Sequence, residues 1–252
     1  MFDVSDSAYD NFMGRYSIRL APAFADFAGV QAGQRVADVG AGTGALTSEL
    51  SRRGADTAAV EPSPSFVAAL GRKLPEVDVR AGCAEELPWP DESFDASLAQ
   101  LVLVFMNNAI AGVAEMRRVV RRGGVVAVCM WDRTGMDMLA AVERTRRALA
   151  EVGALTSAPT QYRSREEIEG LFTGDGFADV RTELLEVESG YSGFDEFWAA
   201  LDGGAGPAGA WIKTLDEQQR TEAREELHSQ LGSPSGAFSL RGSAWATRAT
   251  RA

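Results

Sequence analysis

Asp38-Val39-Gly40-Ala41-Gly42-Thr43-Gly44 is the stretch on which the fold turns. Before it, Arg35 to Val39 is a short apolar run of strand type; after it, Leu46, Leu50 and Arg53 lead a helix to a stop at Gly54. Glycines tolerate backbone angles that other residues avoid and let main chain come close to a ligand, and the helix that follows opens with unpaired N–H groups. Strand, glycine turn and helix therefore form the start of a crossover unit.

Outward from this turn the pattern repeats. Strands are expected at Thr57 to Val60, Val77 to Arg80, Phe94 to Ala99 and Val125 to Trp131, with helices at Pro64 to Leu74 and from Asn108 to Arg122, the latter ending at Gly123-Gly124. Upstream, Tyr9, Phe12, Met13, Tyr16, Leu20, Phe24 and Phe27 are spaced as one face of a helix from Tyr9 to Phe27. Downstream come helices from Met138 to Val152 and Ser164 to Phe172, a strand near Ala178 to Val187, and a closing strand from Ala237 to Thr247. Between these two strands, Gly193 to Ser235 carries Phe197, Trp198, Leu201, Trp211, Ile212, Leu215 and Leu227 in helical segments.

Strands separated by helices imply right-handed crossovers and a doubly wound, mostly parallel α/β sheet of Rossmann-like type. The expected organisation is an N-terminal helical cap (1–30), an α/β core (31–190), a helical lid insertion (191–236) over the carboxyl edge of the sheet, and a strand (237–252) completing the core.

With 252 residues, 45% of them hydrophobic and 24% charged, the chain can bury a full core without staples. Its first residues lack the basic start and apolar stretch of a secretory signal, and no apolar run approaches bilayer length, so a cytoplasmic protein with no membrane span is expected. A formal net charge of −11 disfavours nucleic acid as a partner. Arg117, Arg118, Arg121 and Arg122 read as cations in the last turn of a helix, facing the negative end of its dipole. Cys83 and Cys129 fall on separate strand regions and form neither a redox pair nor a zinc cluster; both are expected to be buried, and no metal site is expected.

Gly40-x-Gly42-x-x-Ala45 also satisfies the dinucleotide fingerprint, so spacing alone leaves a nicotinamide cofactor and S-adenosylmethionine both open. The acids separate them. Asp38 lies two residues before Gly40, where a carboxylate would oppose a pyrophosphate but suit a ligand bearing an ammonium and a sulfonium. Glu61, ending the second strand, is placed to accept hydrogen bonds from both ribose hydroxyls. The loop is thus expected to present main-chain amides and a carboxylate to a positively charged thioether nucleoside.

Five stretches in order make the chain resemble class I S-adenosylmethionine-dependent methyltransferases, in particular the small-molecule branch with the ubiquinone- and menaquinone-biosynthesis enzymes. They are Tyr9 to Ser17, the Asp38 to Gly44 turn, Glu61-Pro62-Ser63, Gly82 to Trp89, and Glu115 to Val119 with Gly123-Gly124. The resemblance implies a seven-stranded sheet with the last strand antiparallel and the cofactor across the carboxyl ends of the first strands. It implies that Asp38 and the backbone of Gly40, Ala41, Gly42, Thr43 and Gly44 hold the methionine moiety and that Glu61 holds the ribose. Pro62 and Ser63 would border the adenine, Cys83, Ala84 and Glu85 would follow its edge, Gln100 and Leu101 would line the cofactor beneath the methyl group, and Tyr9, Arg15 and Tyr16 would close over the methionine end.

Three positions depart from that family's pattern. Cys83 stands where relatives carry an Asp that binds the adenine amine, Arg122 where a proline is common, and Val104 where many relatives have a histidine. His228 is the only histidine and reads as a packing residue on a lid helix. No catalytic base is assigned, and transfer from a sulfonium does not demand one, because alignment and exclusion of water supply much of the acceleration. Trp131, Tyr162, Tyr191, Trp198 and Trp211 are the candidate contacts to the acceptor, an apolar or aromatic small molecule. The expected function is methyl transfer to O, N or C of such a molecule, yielding S-adenosylhomocysteine; a cofactor-binding regulatory module without chemistry and a nicotinamide-dependent oxidoreductase are the alternatives.

Overall fold

A computed structural model of the chain describes residues 13–149, 161–203 and 206–252. Its elements run α1 (Arg15–Ala28), β1 (Arg35–Val39), α2 (Ala45–Arg52), β2 (Asp56–Glu61), α3 (Pro64–Lys73), β3 (Asp78–Ala81), β4 (Phe94–Gln100), a short 3-10 turn (Leu103–Phe105), α4 (Ala109–Val119) and β5 (Val120–Met136). There follow α5 (Asp137–Ala148), α6 (Arg165–Glu169), β6 (Phe177–Tyr191), α7 (Phe194–Asp202), α8 (Gly206–Thr214), α9 (Glu217–Gln230) and β7 (Phe238–Arg251). Tyr9 and the expected first turns of the N-terminal helix lie outside the described residues, as does the expected extension of α5 beyond Leu149.

The seven strands form one sheet in the order β3-β2-β1-β4-β5-β7-β6. β3, β2, β1, β4 and β5 pair in parallel. β7 runs against its neighbours: Ser243 lies beside Gly135 and Trp245 beside Asp132, whereas Arg122, at the start of β5, reaches the carbonyl of Ala252. On its other side, Thr247 bonds Thr182 while Ala252 bonds Gly176, so the end of β7 meets the start of β6. The sheet is therefore doubly wound and mixed, with the antiparallel last strand that the resemblance implies.

β1 and β2 are buried along all but their first residue, as expected of parallel strands covered on both faces. α3 starts with Pro64 in its first turn behind Ser63, and α4 is capped by the Asn108 side chain, which accepts from the Ala111 amide at 3.1 Å. The main core packs α4, through Val113, Met116 and Val119, onto Val39, Val60, Phe94, Val126 and Val128 of the sheet. A smaller cluster on α3 joins Leu70 to Ala41, Ala59 and Val77.

Three expectations need correction. α4 stops at Val119 and β5 begins at once, so Arg121 and Arg122 are strand residues; only Arg117 and Arg118 occupy the last helical turn. Gly123-Gly124 does not end the helix but forms a bulge: Phe94 pairs with Val120 and Ala96 with Val125, so two steps on β4 match five on β5. Gly123 takes φ 75°, and a Cβ on Gly124 would sit 2.5 Å from the Asp95 carbonyl oxygen, so both positions require glycine for reasons of the sheet. Finally, Cys83 is exposed in the turn after β3, bridged to Glu86; Cys129 alone is buried.

By chain contacts the described residues fall into two compact units. One takes residues 13–16, 133–149, 186–203 and 206–243; the other takes 17–132, 161–185 and 244–252 and contains the parallel strands. In the first unit α5 packs against α9, and Arg144 on α5 bonds Gln230. In the second unit Phe94 is 1% exposed and meets Trp89 edge-on at 5.0 Å. Replacing Phe94 with Ala should cost about 3–5 kcal/mol, read as a lower urea midpoint with an unchanged slope.

Candidate active site

The chain runs from β1 to β2 and β3 on one side, then returns to place β4 on the other side of β1. The strand order thus reverses at β1, and the crevice outside the carboxyl ends of β1 and β4 is where open α/β sheets take ligands.

Gly40, Gly42 and Gly44 all have positive φ, at 77°, 53° and 82°. Gly40 and Gly44 are forced by packing as well: a Cβ would fall 2.4 Å from Val102 and 2.3 Å from Leu70, respectively. Gly42 differs, because a Cβ there would meet nothing within 4 Å. The loop is held tight at both ends and open in its middle.

Its amides are used inside the protein. Gly40 and Ala41 donate to the Val60 carbonyl at 2.9 and 3.2 Å, and Gly44 donates to Ala41 at 2.8 Å. Gly42 donates to Glu61 Oε2 at 2.9 Å, while the other Glu61 oxygen accepts from the Ser63 amide at 3.0 Å. Glu61 is 6% exposed and ties the glycine loop to the turn after β2. The amides of Gly40, Ala41, Gly42 and Gly44 thus have partners within the protein, and the loop offers close approach at Gly42.

Asp38 is 1% exposed, and its Oδ2 accepts from Thr47 Oγ1 at 2.6 Å. Burial pushes its carboxyl up to about 7, with Glu61 repelling the charge and the Thr47 hydrogen bond partly offsetting both. No Lys or Arg forms an ion pair with it among the described residues. Thr47 and the glycine-packing residues Val102 and Leu70 were not singled out from the sequence, because nothing in linear order marks these contacts.

Of the other expected residues, Pro62 is exposed and Ser63 bonds Ser65 through their hydroxyls at 2.9 Å. Thr43 accepts from Lys73 through its carbonyl at 3.2 Å. Ala84 is buried in the main core. Burial opposes ionisation of Glu85, yet the amides of Asn108, Glu85 itself and Asn107 hold its carboxyl below the usual range, and Asn108 donates to it at 3.0 Å. Gln100 and Leu101 end β4 beside the loop, Leu101 with φ 63°.

Arg15 and Tyr16 belong to the first unit. There Arg15 pairs with Glu196 at 2.7 Å, donates to the Gly190 carbonyl and lies over the Tyr191 ring, and the two tyrosine hydroxyls of Tyr16 and Tyr191 are 3.2 Å apart. Hydrogen bonds from Ser192 and Arg15 hold the Glu196 carboxyl at about 2. Among the expected acceptor contacts, Trp131 and Tyr162 lie in the second unit, and Tyr191, Trp198 and Trp211 in the first. Trp131, Tyr191 and Trp211 are buried, while Tyr162 and Trp198 are half-buried. His228 packs on the Phe194 ring at 4.6 Å and faces the Pro234 carbonyl at 3.1 Å.

Comparison with known proteins agrees with this geometry. Residues 37–128, from β1 into β5, match the family described as methyltransferase domain. An uncharacterized methyltransferase of Mycobacterium tuberculosis is 41% identical over 40% of this chain and 41% of its own length. A demethylmenaquinone methyltransferase of Mycolicibacterium paratuberculosis is 37% identical over 53% of this chain and 59% of its own. The chain thus spans about two-fifths to three-fifths of the curated relatives it matches. Among solved structures, a candidate type II methyltransferase from Anaeromyxobacter dehalogenans shares the fold with TM-score 0.67 at 22% identity, covering 91% of this chain and 95% of that one. No helix among the described residues is long and apolar enough to cross a membrane, and no group of metal-binding side chains occurs among them.

Asp38 gives a test of the site without any ligand. Its carboxyl is raised on folding, so its contribution to stability is fully present below pH 3.8 and is lost as pH rises through about 7, at about 1.4 kcal/mol per pH unit across that window. Asp38→Asn keeps an acceptor for Thr47 and cannot ionise. It should melt above the wild type at pH 8 and converge with it near pH 4; identical melting curves at both pH values would refute the burial of an ionisable group here.

Proposed function

We propose that this chain is an S-adenosylmethionine-dependent methyltransferase acting on a small molecule. The observation that carries this reading is the glycine loop: the amides of Gly40, Ala41, Gly42 and Gly44 have partners inside the protein and its face at Gly42 is open, with buried Asp38 beside it. A pyrophosphate needs amide donors at this place and would find them taken, next to a carboxylate. A ligand carrying positive charge finds acceptors and a group whose ionisation it would favour. The donor set therefore fits S-adenosylmethionine and argues against a nicotinamide dinucleotide.

In this reading Asp38 and the carbonyls of the loop hold the methionine end, with Gly42 allowing contact at van der Waals distance. Glu61, Pro62 and Ser63 take the ribose and the near side of the adenine, Cys83, Ala84 and Glu85 its far edge, and Gln100 and Leu101 the floor of the crevice. When bound, the cofactor supplies a methyl group already activated on a sulfonium. What remains for the protein is to align the acceptor with that methyl and keep water out. The relatives that are demethylmenaquinone methyltransferases support a quinone-like or other aromatic acceptor. Within the unit that holds the loop, Trp131 and Tyr162 are the side chains proposed for its recognition.

Calorimetry with S-adenosylhomocysteine and S-adenosylmethionine tests the assignment, NAD serving as control. Both thioether nucleosides should bind and NAD should not; the reverse pattern would reject the reading. Gly42→Val places a branched side chain on the open face at φ 53° and should weaken S-adenosylhomocysteine at least about tenfold, or about 1.4 kcal/mol, with an unchanged circular dichroism spectrum. Release of S-adenosylhomocysteine in the presence of a panel of reduced quinones then reports turnover.

A further inference from the structure

β6 is an edge strand. It runs for 15 residues, pairs with β7 on one side, and ends the sheet order on the other, so that no strand lies beyond it among the described residues. Residues 177–185 of it belong to the second unit. Asp179 leaves extended backbone at φ 53°, and the regular edge starts at Val180. A strand so placed presents a row of main-chain N–H and C=O groups without a sheet partner, which is a template for another strand.

The side chains along this edge do not divide into a core face and a solvent face. Val180, Arg181, Glu183 and Leu184 are all exposed, the two apolar ones at 43% and 41%. Between them Thr182 bonds the Thr247 hydroxyl of β7 at 2.8 Å, which ties the strand to its own sheet. Further along, Glu186 pairs with Arg241 at 3.7 Å, whereas Arg181 and Glu183 form no ion pair among the described residues.

Alternation along a strand puts Arg181 and Glu183 on one face and Val180, Thr182 and Leu184 on the other. The order Val180-Arg181-Thr182-Glu183-Leu184 is its own complement when a second copy runs antiparallel about Thr182. Arg181 of each copy then faces Glu183 of the other, Val180 faces Leu184, and the two Thr182 residues meet at the axis. Moving the axis by one residue sets Arg181 against Arg181 or Glu183 against Glu183, and like charges directly opposite each other are destabilising. Charges on an edge ordinarily keep strands apart. Charges in this arrangement repel the neighbouring registers and favour one.

We propose that β6 is the contact strand of a two-fold symmetric dimer, in which the sheets of two copies join by antiparallel pairing centred on Thr182. Such an interface uses the same patch on both copies and closes at two. β5 and β7 stand between β6 and β4, so the join lies away from the crevice at β1 and β4 and does not depend on what the crevice binds.

Sedimentation velocity on the full chain tests the proposal. The wild type should sediment as a dimer. Arg181→Glu makes both facing pairs acidic and Glu183→Arg makes both basic, so each variant should self-associate at least about tenfold more weakly. Mixed one to one, the two variants regain both attractive pairs and should form a mixed dimer. The double variant Arg181→Glu with Glu183→Arg exchanges the signs and should dimerise like the wild type, which keeps the register testable if a single variant does not fold. A monomeric wild type would overturn the proposal and leave the edge to a strand of another protein. Single variants that dimerise as tightly as the wild type, or a double variant that does not dimerise, would overturn it as well.

Discussion

The carboxylate of Glu61 accepts from two main-chain amides that belong to different turns, Gly42 in the glycine loop and Ser63 at the start of α3. A charge-assisted bond to each of two segments is stronger than a neutral one and is made here almost wholly out of water. The amides of Gly40, Ala41 and Gly44 turn inward to Val60 and Ala41. The consequence is a rigid loop whose shape does not depend on a ligand for its hydrogen bonds, and whose open face at Gly42 is set by protein contacts alone. Because a carboxylate has about four acceptor positions, two bonds to the backbone leave Glu61 capacity for hydroxyl donors. One side chain can therefore build the site and still serve in it.

Asp38 carries the opposite bargain. It is buried in the second unit beside another acid, with only the hydroxyl and amide of Thr47 donating to it and no cation paired to it among the described residues, so its charged form is costly in the free protein. Local strain of this kind persists when the rest of the fold over-determines it, and here the buried strand β1 and its neighbours on both sides do so. A carboxyl raised to about 7 discriminates by charge: a cation stabilises its ionised form, and a phosphate does the reverse. The glycine spacing that leaves two cofactors open in the sequence does not encode where the amides and the charges go.

What was legible in the chain was what local chemistry dictates. The strand–turn–helix at Arg35 to Arg52, the acids at positions 38 and 61, and the alternation of strands and helices through Val128 follow from apolar runs, glycine and capping residues, and the structure places them as expected. The errors occur where a long-range partner decides. Gly123-Gly124 reads as a helix stop by local rules, yet the register between β4 and β5 makes it a bulge, drawing Arg121 into a strand where it pairs with Asp95. Cys83 reads as strand-like, but β3 ends at Ala81 and the following turn exposes it. The partner of the Gly42 amide is likewise set at long range: it is Glu61, 19 residues away.

Two neighbouring parallel strands remain a crevice only if the chain leaves them in different directions. After β1 the chain goes into the glycine loop and α2 toward β2; after β4 it must depart on the other side without closing the gap. Leu101 accomplishes this with a left-handed backbone and an amide bond to Cys129, and Val102 then packs against a glycine that can carry no side chain. Gly40 is therefore required less by its own turn than by the exit of β4, and the strain at Leu101 is offset by burial of Leu101 and Leu103 in the second unit. The opening at the switch point is a product of these positions acting together, so the glycine motif and the exit of β4 are parts of one device, although Val102 follows Gly40 by 62 positions in the chain.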